Sequence, residues 1–361
     1  MNSLLERGRR LGMIAAGLLL SIICIAGAYL AFPGVPAKSA TLKFDGFIKL
    51  PAMGVLSALD YLAIEDGKLF VSSLSSGRVV VTGLDPIAPA KPAAICSTAA
   101  GGSAHGVVLI RRLHLGLVTR SGLNTVDIFN LDTLQLVKRL AVAEGPDAIL
   151  HDPETGLVYV ANADAKMATL IDPGQQKVVA TIPLPGQPEY AALDARSGLL
   201  YQNIENTSSV AAISITRRAV VNRWPLASCQ GPSGMALDAR RQRLFVVCSG
   251  NQRLGIYGLA THRLIASLPV GRLSDSAAFD PALDRVYVAG GAGQLTVIGP
   301  NGADSYRVVD RIRTHLGAHT LAVDLSSHRL YVGYAGFATR ARVAVFSPRN
   351  MTSRPAEGGS E

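Results

Sequence analysis

Residues 152–184, DPETGLVYVANADAKMATLIDPGQQKVVATIPL, contain the plan of the whole chain. An Asp-Pro-Glu-Thr-Gly turn leads into a short strand in which Val158 and Val160 flank Tyr159. A small-residue loop follows, then a strand carrying Ala168 and Leu170, a second turn, and a strand in which Val178, Ala180 and Ile182 alternate with their neighbours. Alternation of period two in short runs, punctuated by Asp, Gly and Pro, is the pattern of β-strands buried on one face. In the turn, Asp152 can accept backbone hydrogen bonds and Gly156 can supply a positive φ.

The same plan recurs. Equivalent anchors stand at Phe70, Leu117, Tyr159, Tyr201, Phe245, Tyr287 and Tyr331, spaced 47, 42, 42, 44, 42 and 44 residues apart. An Asp precedes the anchor by seven residues in five copies, at Asp152, Asp194, Asp238, Asp280 and Asp324. Four short strands repeated seven times predict an all-β fold, a seven-bladed β-propeller in which each blade is covered only by its neighbours. The seventh copy stops after its third strand, at Val343-Ala344-Val345-Phe346. Residues Gly46-Phe47-Ile48-Lys49-Leu50-Pro51 match Val179-Ala180-Thr181-Ile182-Pro183-Leu184 and supply the missing fourth. That closure removes an exposed edge and makes residues 41–348 one domain.

Leu157-Val158-Tyr159-Val160-Ala161-Asn162, followed by Thr169-Leu170-Ile171-Asp172 and Val178-Val179-Ala180-Thr181-Ile182, closely resembles the YVTN (YncE-like) propeller family. Arg285-Val286-Tyr287-Val288-Ala289 and Arg329-Leu330-Tyr331-Val332-Gly333 repeat it more loosely. The resemblance implies the fold and leaves function open, since such propellers include binding proteins, surface proteins and enzymes. One tryptophan, Trp224, and no Trp-Asp pair set the chain apart from WD40 propellers. Blade one departs by a shorter first turn, and blade two by Leu117 in the aromatic slot.

Of 361 residues, 48% are hydrophobic and 17% charged, enough to bury a large core. Arg7, Arg9 and Arg10 precede an uncharged run over 11–32, the pattern of a signal for export to the periplasm or cell envelope. The run can span a bilayer, while Ala26-Gly27-Ala28 and Ala37-Lys38-Ser39 offer cleavage sites. A retained anchor helix and a cleaved signal peptide, within a leader of residues 1–40, therefore both stay open. The polar tail 349–361 is expected to be flexible. Cys24 lies in the leader, and Cys96 has no evident partner. Cys229 and Cys248 both fall near one end of blade five, where a disulfide and two reduced thiols are alternatives.

In a propeller the first strand of each blade starts at the top of the central channel. Counting twelve residues back from each anchor, with a two-residue correction in blade one, gives a rim of Asp60, His105, Asp147, Glu189, Ser233, Asp275 and His319. Asp60-Tyr61 against Glu189-Tyr190 supports that correction. Four carboxyls, two imidazoles and a hydroxyl around one axis are candidates for ligand binding, or simply for a wet channel mouth. His105, His319, Asp60 and Asp147 come from consecutive blades and could ligate a divalent metal or serve as acid and base. His315 lies nearby and caps its loop in the simpler reading.

Asn162, Asp164, Asn203, Asn206, Asn251 and Arg120 are expected in loops crowning the same face, where they could line a cleft. The opposite face carries Arg111, Arg112, Arg196, Arg217, Arg218, Arg240, Arg241, Arg243, Arg263, Arg285 and Arg329, a large share of the net charge of +9. Anionic membrane and nucleic acid are the partners such a face could meet, against the plainer role of keeping turns soluble. His114, His151, His262 and His328 are expected on that face as surface residues. No phosphate loop, nucleophile elbow, Cys-x-x-Cys or haem-attachment motif occurs. The expectation is an envelope propeller that binds a small molecule, protein or peptide across its top. The alternative is a metal-dependent hydrolase or lyase using the His/Asp rim.

Overall fold

The computed structural model describes residues 36, 38–53, 56–87, 93–95, 102–302, 304–337 and 341–349. The uncharged run 11–32 expected to direct export, Cys24, Cys96 and the tail after Arg349 lie outside them. Among the described residues there are seven four-stranded antiparallel sheets, six of them built from consecutive strands, and a two-stranded ribbon pairing Leu56–Ser57 with Gly336–Phe337. Blade three has the order Pro146–His151, Val158–Asn162, Met167–Asp172, Lys177–Pro183, as its alternation predicts. The seventh sheet joins Thr320–Asp324, Arg329–Tyr334 and Arg342–Pro348 to the N-terminal strand Leu42–Lys49. Phe47 pairs with Ala344 and Ile48 with Val343, so the ring is closed by the two ends of the chain. The inner strands of blades seven and one then pack together and complete the circle.

All seven anchors are buried, from 0% exposed for Tyr159, Phe245, Tyr287 and Tyr331 to 6% for Tyr201. Each contributes about 1.5–3 kcal/mol by burial, and two of the four tyrosine anchors also hydrogen-bond the next blade. Tyr159 donates to Gln202 Oε1 at 2.9 Å, and Tyr331 donates to Leu84 O across the seam between blades seven and one. The recurring Asp holds the bottom turns: Asp152 accepts from the Glu154 amide and the Thr155 hydroxyl, and Asp238 from the amides of Arg240 and Arg241. Blade one's shorter turn is a two-residue hairpin. Asp66 and Gly67 have φ of 49° and 67°, the left-handed pair such a turn requires, and Glu65 pairs directly with Lys68.

A disulfide joins Cys229 to Cys248. Among the described residues, helix is limited to short 3-10 turns, and no helix is long and apolar enough to cross a membrane.

Candidate functional site

Six of the rim residues are the second residue of a first strand: Asp60, His105, Asp147, Glu189, Ser233 and Asp275. His319 stands just before the seventh such strand, Thr320–Asp324. In blades one to six the pairing register slips at this point, between Pro146 and Ile149 in blade three and between Ser274 and Ser276 in blade six. A bulge bends the strand and re-aims its side chains, here toward the axis. It also frees backbone carbonyls, which buried second-strand side chains satisfy. Thr119 Oγ1 donates to Asp147 O at 2.6 Å, Gln202 Nε2 to Glu189 O at 2.8 Å, and Asn203 Nδ2 to Ser233 O at 2.6 Å. Inner strands pass so closely that a Cβ on Gly234 would lie 2.3 Å from Asp275 O. Glycine is required there.

Asp60, Asp147, Glu189, Ser233, Asp275 and His319 line one cavity of about 60 Å³ at the channel mouth, with Tyr61 and Tyr190. His105 stands behind it, its Nδ1 2.6 Å from Asp60 Oδ2 and 3.4 Å from Asp147 Oδ1, its Nε2 2.7 Å from Ser121 Oγ. Burial alone would lower the basicity of His105, but Asp147 and Asp60 outweigh it and push the imidazole up to about 10. His105 is therefore a cation between two carboxyls. Burial and the Asp147 charge raise Asp60 to about 6 even though His105 opposes them. Glu189 goes further, to about 8, through burial first and then the charges of Asp147, Glu205, Asp275 and Asp60.

The four residues read as a metal set do not converge. Asp60, His105 and Asp147 have ligand atoms within 4.8 Å of one another. His319 instead places Nδ1 3.2 Å from Asp275 Oδ2 and hydrogen-bonds the Leu59 backbone; those contacts raise its basicity against burial, which lowers it. The 2.6 Å between His105 and Asp60 is a hydrogen-bond distance, shorter than the roughly 3.3 Å between two ligands of a tetrahedral ion with bonds of about 2 Å. The trio fits a shared proton better than a metal. His315 does cap its loop: it is buried, with Nδ1 2.8 Å from Leu316 O.

Two tyrosines completed the site without being singled out as part of it. Tyr61 in blade one and Tyr190 in blade four stack with centroids 5.5 Å apart and planes 6° from parallel. Burial raises both phenols above their usual value, with nearby carboxylates adding to it. Blades one and four meet only by reaching across the axis, so this pair blocks the channel. The matching Asp60-Tyr61 and Glu189-Tyr190 dipeptides carried the signal.

The expected crown of loop side chains is corrected. Arg120 is 1% exposed and pairs with the fully buried Asp127, and Asn162 and Asn203 are fully buried. Asn162 donates to Val160 O, Met167 O and Thr169 Oγ1. These residues end strands rather than line a cleft, because carbonyls there need internal donors. Asn206 and Asn251 brace neighbouring loops by accepting from the Gln187 and Gln230 amides, and Asp164 is exposed.

The bottom face is also less free than expected. Arg241 bridges Asp238 and Asp284, Arg111 pairs with Asp66, Arg243 with Asp304 and Arg329 with Asp45. Two bottom histidines are interblade contacts rather than bare surface: His328 bonds the buried Asp280, and His262 stacks on Trp224 at 4.0 Å.

No family model matches the sequence, and no curated protein matches it. Among solved structures the chain is similar to the hydrazine synthase of Kuenenia stuttgartiensis, with a TM-score of 0.68 and 15% identity over 81% of this chain and 97% of that one. At that identity the likeness carries architecture alone, and this chain is an all-β, seven-bladed propeller.

Proposed function

We propose that this chain is an exported propeller of YVTN type that acts as a binding module, taking a small ligand at the top of its central channel. The observation that carries the reading is the convergence of six rim residues from six blades on one cavity floored by the Tyr61–Tyr190 stack. Binding is favoured over catalysis because Asp147 and Asp60 keep the His105 imidazole protonated up to about 10, so that at neutral pH it is no base for the Ser121 hydroxyl beside its Nε2. A metal-dependent hydrolase or lyase would need His105 to surrender its proton before it could ligate. Metal content measured on protein purified without chelator, together with stabilisation by Zn²⁺ or Mn²⁺, tests that alternative.

A thermal-shift panel of organic cations, organic anions and neutral sugars tests the main reading. At least one class should raise Tm in the wild type and fail to do so in Asp275→Trp, where the bulky ring covers the mouth. A panel in which nothing stabilises the protein, or stabilises both forms equally, overturns it.

A second role is suggested for the bottom. The closing strand begins there, and Arg112, Arg217, Arg218, Arg240 and Arg263 are exposed with no ion pair among the described residues. With an anchor retained, these arginines would face anionic head groups. Equal co-sedimentation with neutral and anionic vesicles would exclude that role.

A further inference from the structure

Beside the acidic well lies a second cavity of about 520 Å³, within the range of small-ligand sites. Asp275 and His319 border both. The second is lined mainly by apolar surface from Leu273 and Leu316 and by the backbone of Gly291 and Gly317. Leu273 is 67% exposed and holds a φ of 54°. A large aliphatic side chain in left-handed backbone, turned to water at the edge of a cavity, is costly both sterically and by solvation. At the wet end, Thr320 lines the well at 5% exposure. Asp147 Oδ1 is buried and faces only His105 Nδ1, at 3.4 Å. An acidic well thus opens directly onto an apolar shelf.

Resting on the binding-module reading above, we infer that the ligand is an organic monocation: an amine whose head sits in the well against Asp275, Asp147 and Thr320, and whose apolar body lies on Leu273 and Leu316. With Glu189 protonated to about 8, three carboxylates face two imidazoles at this mouth, so the well repels anions and draws cations. Glu189 is kept from ionising by burial first and by the neighbouring carboxylates second. A bare metal ion would leave the shelf unused, and a neutral apolar ligand would leave the acids unanswered. An amine answers both.

Calorimetry of the whole protein with hexylammonium, hexanoate and hexanol, three probes of one length and different charge, tests the inference. Hexylammonium should bind, and the other two should bind at least tenfold more weakly. Affinity across butyl-, pentyl- and hexylammonium should rise roughly fourfold per methylene if the chain is buried. Asp275→Asn, at a half-exposed position where the fold tolerates change, should weaken hexylammonium at least tenfold. Leu273→Asn, which suits left-handed backbone, should weaken hexylammonium and leave methylammonium unchanged. Asp132→Asn, on the far face, should alter neither.

Equal binding of hexanoate, or Asp275→Asn and Asp147→Asn variants as tight as wild type, overturns the monocation. If an anion or a sugar binds instead and Asp275→Trp abolishes it, the module reading survives and only the ligand class falls. If no small molecule of any charge binds, both fall.

Discussion

Replacing Glu189 by Gln should make the protein more stable, and increasingly so as pH rises. In the unfolded chain this carboxyl loses its proton near 4.5; in the fold it keeps the proton to about 8. Between those values the folded state holds a proton that the unfolded state has released. The stability of the neutral acid is therefore complete below 4.5, declines as pH rises, and is gone once pH passes about 8. At about 1.4 kcal/mol per unit of displacement, with allowance for the water that reaches this half-buried side chain, the swing is about 4 kcal/mol. Gln has the same shape and never ionises. The variant and wild type should match at pH 4.5, and the variant should lead by about 4 kcal/mol at pH 9. His105 and Asp60 also titrate differently in the fold, but they are common to both proteins and cancel in the difference. Guanidinium midpoints or Tm by circular dichroism at pH 4.5, 7 and 9 give the comparison. A difference that stays constant with pH, or shrinks as pH rises, refutes the suppressed ionisation of Glu189.

His105→Ala should destabilise the protein by about 3 kcal/mol, because it leaves Asp60 and Asp147 facing each other without the cation between them. Adding Asp60→Asn should recover part of the loss, and a double variant no more stable than the single one counts against the triad. Removing the disulfide with Cys229→Ser/Cys248→Ser, which opens a loop of 19 residues, should cost about 3 kcal/mol, with reductant lowering the wild-type Tm alike. Asp310→Ala should loosen ring closure: Asp310 Oδ2 accepts from the Ser39 hydroxyl, the Ala40 and Thr41 amides and the Thr41 hydroxyl, and losing this clamp should cost about 2 kcal/mol. Trypsin cleavage at the exposed Lys43 should then accelerate, and an unchanged rate would place the closing strength elsewhere.

The rim could be read by counting because every blade from one to six makes its bulge at the same place. A bulge repeated identically leaves the spacing between anchor and rim intact, so twelve residues back from Tyr159 and from Tyr287 lead to equivalent points. What counting could not supply is which neighbour each side chain chooses. His105 turns to both adjacent carboxyls while His319 takes Asp275, and only the spacing of bent inner strands decides that. Arg120, Asn162 and Asn203 were misread for a related reason. A polar residue at a strand end looks like the start of a loop in sequence, whereas a bulged neighbour creates carbonyls that must be satisfied inside. Leu273 lay in a segment without periodicity, where no pattern distinguishes an apolar residue turned outward from one turned in.

The Tyr61–Tyr190 stack makes the two faces chemically independent. A propeller axis left open would let the acidic mouth and the arginine-rich base share counterions through water. Two phenol rings stacked across that axis displace the water and separate the charges by low-dielectric material. The burial and neighbouring charge that push Glu189 to about 8 are then properties of the top alone, not relieved by the basic charge below. It also follows that a ligand must enter and leave by the same opening, over Asp275 and past Leu273, so substitutions at those two residues should change association and dissociation rates together. An open axis would instead make Glu189 responsive to charge changes such as Arg240→Glu on the bottom face, and the stack predicts that it is not.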